Sequence, residues 1–183
     1  MRVRVLSILF LFMTFIAAQL AAQTPPQSVP RGGMGSEATS SITAQVPPPL
    51  KISFGSQSAT WTPEALAALP HATVTVDDEK SNARETYSGV PLIDLLTRLG
   101  VKEKPGKKDL MFYVVATGSD GYAVVYSIGE IMPFIHDAAV IVADSLDGKP
   151  LATTGRFELI ASREKHPARW VRDLSTIQVF AAD

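Results

Sequence analysis

The chain of 183 residues contains no cysteine. That absence excludes disulfides, thiolate metal ligands and a cysteine nucleophile, so stability has to come from burial alone. A chain of this size can bury about two-thirds of the surface its unfolded form exposes, which is sufficient. Histidine is scarce too. His71, His136 and His166 are far apart and lack the HxH or HxxxH spacing of a zinc site, so each is expected to be a surface or hydrogen-bonded loop histidine. Strong charge of either sign is missing. The formal net charge is -1, which argues against nucleic acid as the main partner. Ser, His and Asp all occur, but no G-x-S-x-G elbow marks a hydrolase.

What is present begins with a leader-like stretch. Arg2 and Arg4 precede an apolar run from Val5 to Ala18, small residues follow at Ala17, Ala18, Ala21 and Ala22, and the first acid is Glu37. This pattern predicts a secretory signal peptide over 1–22, and the run is short for crossing a bilayer. The alternative is an uncleaved anchor, because Leu20 is a poor residue three places before a cut at Ala22. No cysteine follows, so a lipid anchor is excluded. Cleavage would remove Arg2 and Arg4 and take the net charge from -1 to -3. The expected location is periplasmic or secreted, with no membrane span after cleavage. Residues 23–49 are rich in Pro, Gly, Ser and Thr and predict a disordered linker. A proline-rich ligand ending in Pro47-Pro48-Pro49 is the alternative. One folded domain is expected over 50–183.

Within it, Leu50–Phe54 and Thr73–Val76 alternate apolar and polar residues, as half-buried strands do. Leu110–Ala116 (LMFYVVA) and Ala138–Ala143 (AAVIVA) are nearly continuous apolar runs and predict strands buried on both faces. Tyr122–Tyr126, Phe157–Ala161 and Thr176–Phe180 complete the strand set. Gly118–Gly121 and Asp147–Pro150 stand at hairpin positions. Helix signals are short. Thr62-Pro63-Glu64 offers a cap, a proline at the first position and a first-turn acid, with Leu66 and Leu69 as the apolar face. Ser127 and Glu130 have capping-box spacing. In TYSGVPLIDLLTRLGV, Pro91 suits the first helical position, Leu92, Leu95, Leu96 and Leu99 share one face, and Gly100 is a left-handed stop. The class is therefore α+β: short, mostly antiparallel strands, with helices as connections and no regular βαβ alternation.

The order of these pieces resembles the molybdopterin-binding oxidoreductase domain, the family of the sulfite oxidase catalytic core. The motifs are T-P-E-A-L-A-A-L-P, then Y-S-G-V-P-L, S-D-G-Y-A-V-V-Y, I-V-A-D-S-L-D-G-K-P-L and R-W-V-R-D-L-S-T-I-Q-V. They cover most of Leu50–Phe180. The resemblance implies a β-rich, mixed-sheet or barrel-like domain with short connecting helices, and molybdopterin as the cofactor such a domain would hold. It also exposes three departures. The segment that carries the family's molybdenum-binding cysteine corresponds to Val74–Lys80, where Asp77 and Asp78 stand instead. Asp cannot replace a soft thiolate with the same redox chemistry. Glu158 falls where cofactor-holding members carry an arginine, and the loop 162–168 lacks their glycines. With the thiolate gone, no bound cofactor and no metal is expected.

The densest polar constellation is Arg163, Lys165, His166, Arg169 and Arg172 around Trp170, and Tyr122, which follows a turn at a strand end, is added to it as a candidate. Guanidinium groups bind phosphate, sulfonate or carboxylate in bidentate fashion, and an aromatic ring can cover a flat ligand. These residues are the candidate anion pocket. The plainer reading is a solvated loop neutralised by Glu164 and Asp173, with Trp170 in the core. Asp77, Asp78 and Glu79 could bind a hard cation, but such a run is more often an exposed turn. Three functional readings follow: a binding module for a small anion or an envelope protein without sulfite-oxidase-type catalysis; a molybdopterin-dependent oxidoreductase whose molybdenum is held without a protein cysteine; and an interaction domain with no small ligand.

Overall fold

The computed structural model describes residues 48–78, 83–151 and 157–182. The leader, most of the linker, Glu79–Asn82 and Gly155-Arg156 lie outside them. The described residues form ten strands and three short helices: β1 (Leu50–Phe54), β2 (Gln57–Trp61), α1 (Pro63–Ala67), β3 (Ala72–Asp78), β4 (Ala83–Pro91), α2 (Leu92–Thr97), β5 (Phe112–Gly118), β6 (Ala123–Ser127), α3 (Ile128–Ile131), β7 (Val140–Leu146), β8 (Lys149–Pro150), β9 (Glu158–Ala161) and β10 (Leu174–Ala181).

Two sheets result. The first has the order β2-β1-β10-β5-β6; the second has β3-β4-β7-β8, with β9 also on β7. The β1–β10 pair is parallel, with Ile52 opposite Ile177, and the other pairings are antiparallel. The α+β class and the antiparallel bias match the sequence reading. The barrel-like expectation does not: the sheets stay separate, and neither closes on itself.

Burial separates the strands. In β7 and β9, Val140–Ala143 and Glu158–Ala161 are buried throughout. Val142, Leu159 and Ala161 join the main core, which holds Leu92, Leu95 and Leu96 of α2. Ile141, Ala143 and Ile160 face a second cluster with Val74 and Tyr87. A strand covered on both faces has no solvent side to make polar, so its sequence is a continuous apolar run. The run Leu110–Ala116 behaves otherwise, and the expectation of two buried faces is corrected. Asp109–Met111 is a 3-10 turn, Leu110 and Met111 are 45% and 50% exposed, and β5 alternates from Phe112 onward. Its sheet keeps an open outer face, where Tyr113 stacks on Phe180 at 5.5 Å.

Local signals set the helices. Thr62 caps α1 by accepting from Ala65 N–H at 3.2 Å. Glu130 Oε2 accepts from the Ser127 N–H at 2.8 Å and from its hydroxyl at 2.9 Å, closing the capping box of α3. Pro91 is one place earlier than expected: it is the cap and Leu92 opens α2. Gly100 ends the following turn at φ 96°. Gly89 is required by packing. A Cβ there would stand 2.1 Å from the Val142 carbonyl oxygen, where β4 shifts register against β7 between Ser88 and Gly89.

Candidate functional site

The loop between β9 and β10 is fastened from two sides. Leu159 and Val171 exchange backbone hydrogen bonds at 2.8 and 3.1 Å, and Leu174 N–H donates to Phe157 at 2.9 Å. From β6 and its approach, the Tyr122 hydroxyl donates to the Ala168 carbonyl and the Tyr126 hydroxyl to that of Arg169. These bonds pin the 3-10 turn Pro167–Arg169. Trp170 follows, with its indole N–H donating to Ala161 O at 3.0 Å and its ring edge-on to Tyr87 at 5.7 Å. It packs against both apolar clusters, so the core reading of Trp170 holds for part of its surface.

The structure sorts the cations of the constellation. Arg169 is spent internally. It reaches Glu130 Oε1 at 2.9 Å and Glu164 Oε1 at 3.2 Å, and its guanidinium lies 4.2 Å from the Tyr126 ring centre. Burial opposes its charge, but the Glu130 hydrogen bond and the nearby carboxylates outweigh burial and hold the proton more firmly than usual. Arg163, at φ 63°, approaches Asp137 at 3.9 Å with both side chains well exposed. Lys165 and His166 are exposed on the same loop. Arg172 differs. It is exposed and has no ion-pair partner within reach among the described residues.

Arg172, Tyr122 and Trp170 are brought together with Asp120 and Pro167 around a cleft of about 240 Å³. Arg163, Lys165, His166 and Arg169 do not line it. Tyr122 leaves 46% of its surface exposed there. Arg172 is electrostatically coupled to a buried carboxyl. Glu158 is 6% exposed; burial pushes its carboxyl up, Arg172 pulls it back down, and Asp173 and Glu85 push it up again. Tyr87 donates to Glu85 Oε2 at 3.0 Å, and burial, then the Glu158 charge, push its hydroxyl up. A second groove of about 350 Å³ lies over β1, β2 and β10, lined by Lys51, Ser53, Ser58, Thr176 and Gln178 among others. It has no aromatic wall and a single charged side chain, so ligand chemistry converges on the Arg172 cleft instead.

Sequence reading missed Asp120 and Pro167 in the cleft and the coupling of Glu158 with Arg172, Tyr87 and Glu85. Glu158 alone left a trace, as the acid interrupting an otherwise apolar strand.

The segment that the resemblance would put at a metal-ligand position lies on an exposed sheet edge. Asp77 is on β3, at the edge of its sheet, and accepts from Arg84 Nε at 3.3 Å with both side chains largely exposed. Asp78 ends that strand. No group of three His, Asp or Glu side chains suited to a metal occurs among the described residues. With no sulfur donor nearby and Asp77 exposed, the residues present do not fit a thiolate-held molybdenum. His71 and His136 are hydrogen-bonded. His71 bonds Leu69 O at 2.7 Å and Asp144 Oδ2 at 2.8 Å, and His136 Nδ1 accepts from Ala138 N–H at 3.2 Å.

No family model matches the chain, and a search of curated proteins finds no match. The cleft therefore has to be read from its own chemistry. Among the described residues no helix is long and apolar enough to cross a membrane.

Proposed function

We propose that this chain is an exported binding module that takes a small anion at Arg172. The carrying observation is the exposed guanidinium of Arg172, which makes no ion pair within 4.0 Å among the described residues, beside the half-exposed ring of Tyr122. A planar guanidinium recognises a carboxylate or phosphate through two parallel N–H bonds, and the rings of Tyr122 and Trp170 flank the place such a ligand would occupy. Export is supported by the Arg2, Arg4 and Val5–Ala18 pattern. Descent from the sulfite-oxidase-type molybdopterin domain is supported by the motif order from Thr62 to Phe180 and by the short helices linking two sheets. Sulfite-oxidase-type catalysis is not part of the proposal, because the thiolate ligand has no counterpart here.

A thermal-shift screen with acetate, benzoate, phosphate and a sulfonate tests the reading, since a ligand that binds only the folded state raises the melting temperature. We expect at least one anion to raise it in the parent protein and not in Arg172→Ala. Elemental analysis of protein from a host that makes molybdopterin tests the other side. Stoichiometric molybdenum would replace the binding reading with a redox enzyme of unusual ligand set.

A further inference from the structure

Arg172 shares its cleft with a carboxylate. Asp120 lines the same space and is fixed there by the turn before β6, where its Oδ1 accepts the Tyr122 N–H at 2.9 Å. The turn is locked to the Arg172 segment. Ser119 N–H donates to Asp173 O at 2.9 Å. Asp120 Oδ1 and the Arg172 carbonyl oxygen stand 2.7 and 2.8 Å from the point a Gly118 Cβ would occupy. Only glycine allows that approach, so the acid and the base are carried on backbones pressed together. Even so, Asp120 and Arg172 form no ion pair within 4.0 Å. Both residues line the cleft without neutralising each other there, and Tyr122, Trp170 and Pro167 complete its walls.

This arrangement discriminates among ligand classes. A simple anion gains Arg172 but meets Asp120. A simple cation gains Asp120 but meets Arg172. An apolar ligand would strip water from both charges without replacing it. A ligand carrying both charges on neighbouring atoms satisfies each one, and a flat side group can lie on the exposed tyrosine ring. The volume, about 240 Å³, is below the roughly 300–1,000 Å³ of drug-sized pockets and suits a ligand of amino-acid size.

Building on the anion-binding reading above, we propose that the preferred ligand is a free α-amino acid zwitterion with a flat side chain, its carboxylate on Arg172 and its ammonium on Asp120.

The test is an NMR titration of the folded protein, followed at the Trp170 indole N–H, with L-phenylalanine, N-acetyl-L-phenylalanine and L-phenylalaninamide. The acetyl form keeps only the carboxylate, and the amide keeps only the ammonium. L-Phenylalanine should bind about tenfold more tightly than either, the loss expected when one charge-assisted contact is removed at an open site. Asp120→Asn retains the oxygen that accepts the Tyr122 N–H. It should erase the preference over the acetyl form while leaving the acetyl form bound at least as well. If the acetyl form binds the parent protein as tightly as L-phenylalanine, the zwitterion inference fails and the anion reading stands. If the amide binds most tightly, both fail; if none of the three binds, the zwitterion inference fails and the anion reading stands or falls on the anion screen above.

Discussion

The Tyr126 hydroxyl donates to the backbone carbonyl of Arg169, and the Arg169 guanidinium lies 4.2 Å from the centre of the Tyr126 ring. Each residue thus holds the other by two different groups. Glu130 and Glu164 complete the arrangement. Arg169 is a fastener of the β9–β10 loop, which separates it from Arg172 three places on.

Arg169→Ala should therefore destabilise the protein by about 1–2 kcal/mol. This is the range for charged hydrogen bonds, discounted for groups that are one-third exposed. Anion affinity at saturating folded fraction should be unchanged. Urea denaturation with a parallel binding isotherm measures both, and unchanged stability with lost binding would reverse the roles given to Arg169 and Arg172.

Glu158 predicts a pH dependence. Burial raises its carboxyl above the ordinary 4.5, so the folded state keeps a proton there that the unfolded chain has already lost. The stability from that proton is complete below pH 4.5 and is lost as pH rises through the folded value. Glu158→Gln removes the loss. Its stability relative to the parent should grow as pH rises from 4.5 to neutrality, and a difference that stays flat across that range would show that Glu158 is not held protonated.

His71 acts in a later window with the same sign. Its Asp144 hydrogen bond, acting against burial, raises the imidazole above 6.5. Both ring nitrogens donate only in the imidazolium form, to Leu69 O and to Asp144. The stability it contributes is full below pH 6.5 and falls as pH rises through the folded value. His71→Gln should flatten the pH–stability curve above 6.5 and leave the Glu158 window untouched.

Gly89→Ala places a methyl group 2.1 Å from Val142 O in the centre of the second sheet. Backbone cannot yield as a side chain does, so the cost should reach about 3 kcal/mol or more. A chemical-denaturation midpoint close to that of the parent would mean that β4 and β7 do not cross so closely.

Much of this fold was legible where the signal was local. Thr62, the Ser127–Glu130 box, Gly100 and the Asp147-Gly148 turn announce themselves within four residues, because caps and turns depend on neighbouring backbone groups. Strand β2 was not legible. Gln57–Trp61 is mostly polar, and its partner surface, β1, already carries the apolar positions of that hairpin. The Leu110–Ala116 run misled for the converse reason: composition shows what a strand could bury, not whether anything covers its outer face. The site was half legible. Arg169 and Arg172 are the same residue type in the same segment, and partners distant in sequence, Glu130 and the Tyr126 ring, help distinguish the spent guanidinium from the open one. Asp120 gave no sign beyond its place in a turn.

Arg172 is the proposed anion contact, and titration calorimetry with benzoate tests that most directly. The parent protein should show saturable binding, Arg163→Ala should keep it, and Arg172→Ala should lose it while remaining folded. Binding that survives Arg172→Ala, or no binding to the folded parent at all, would contradict the account.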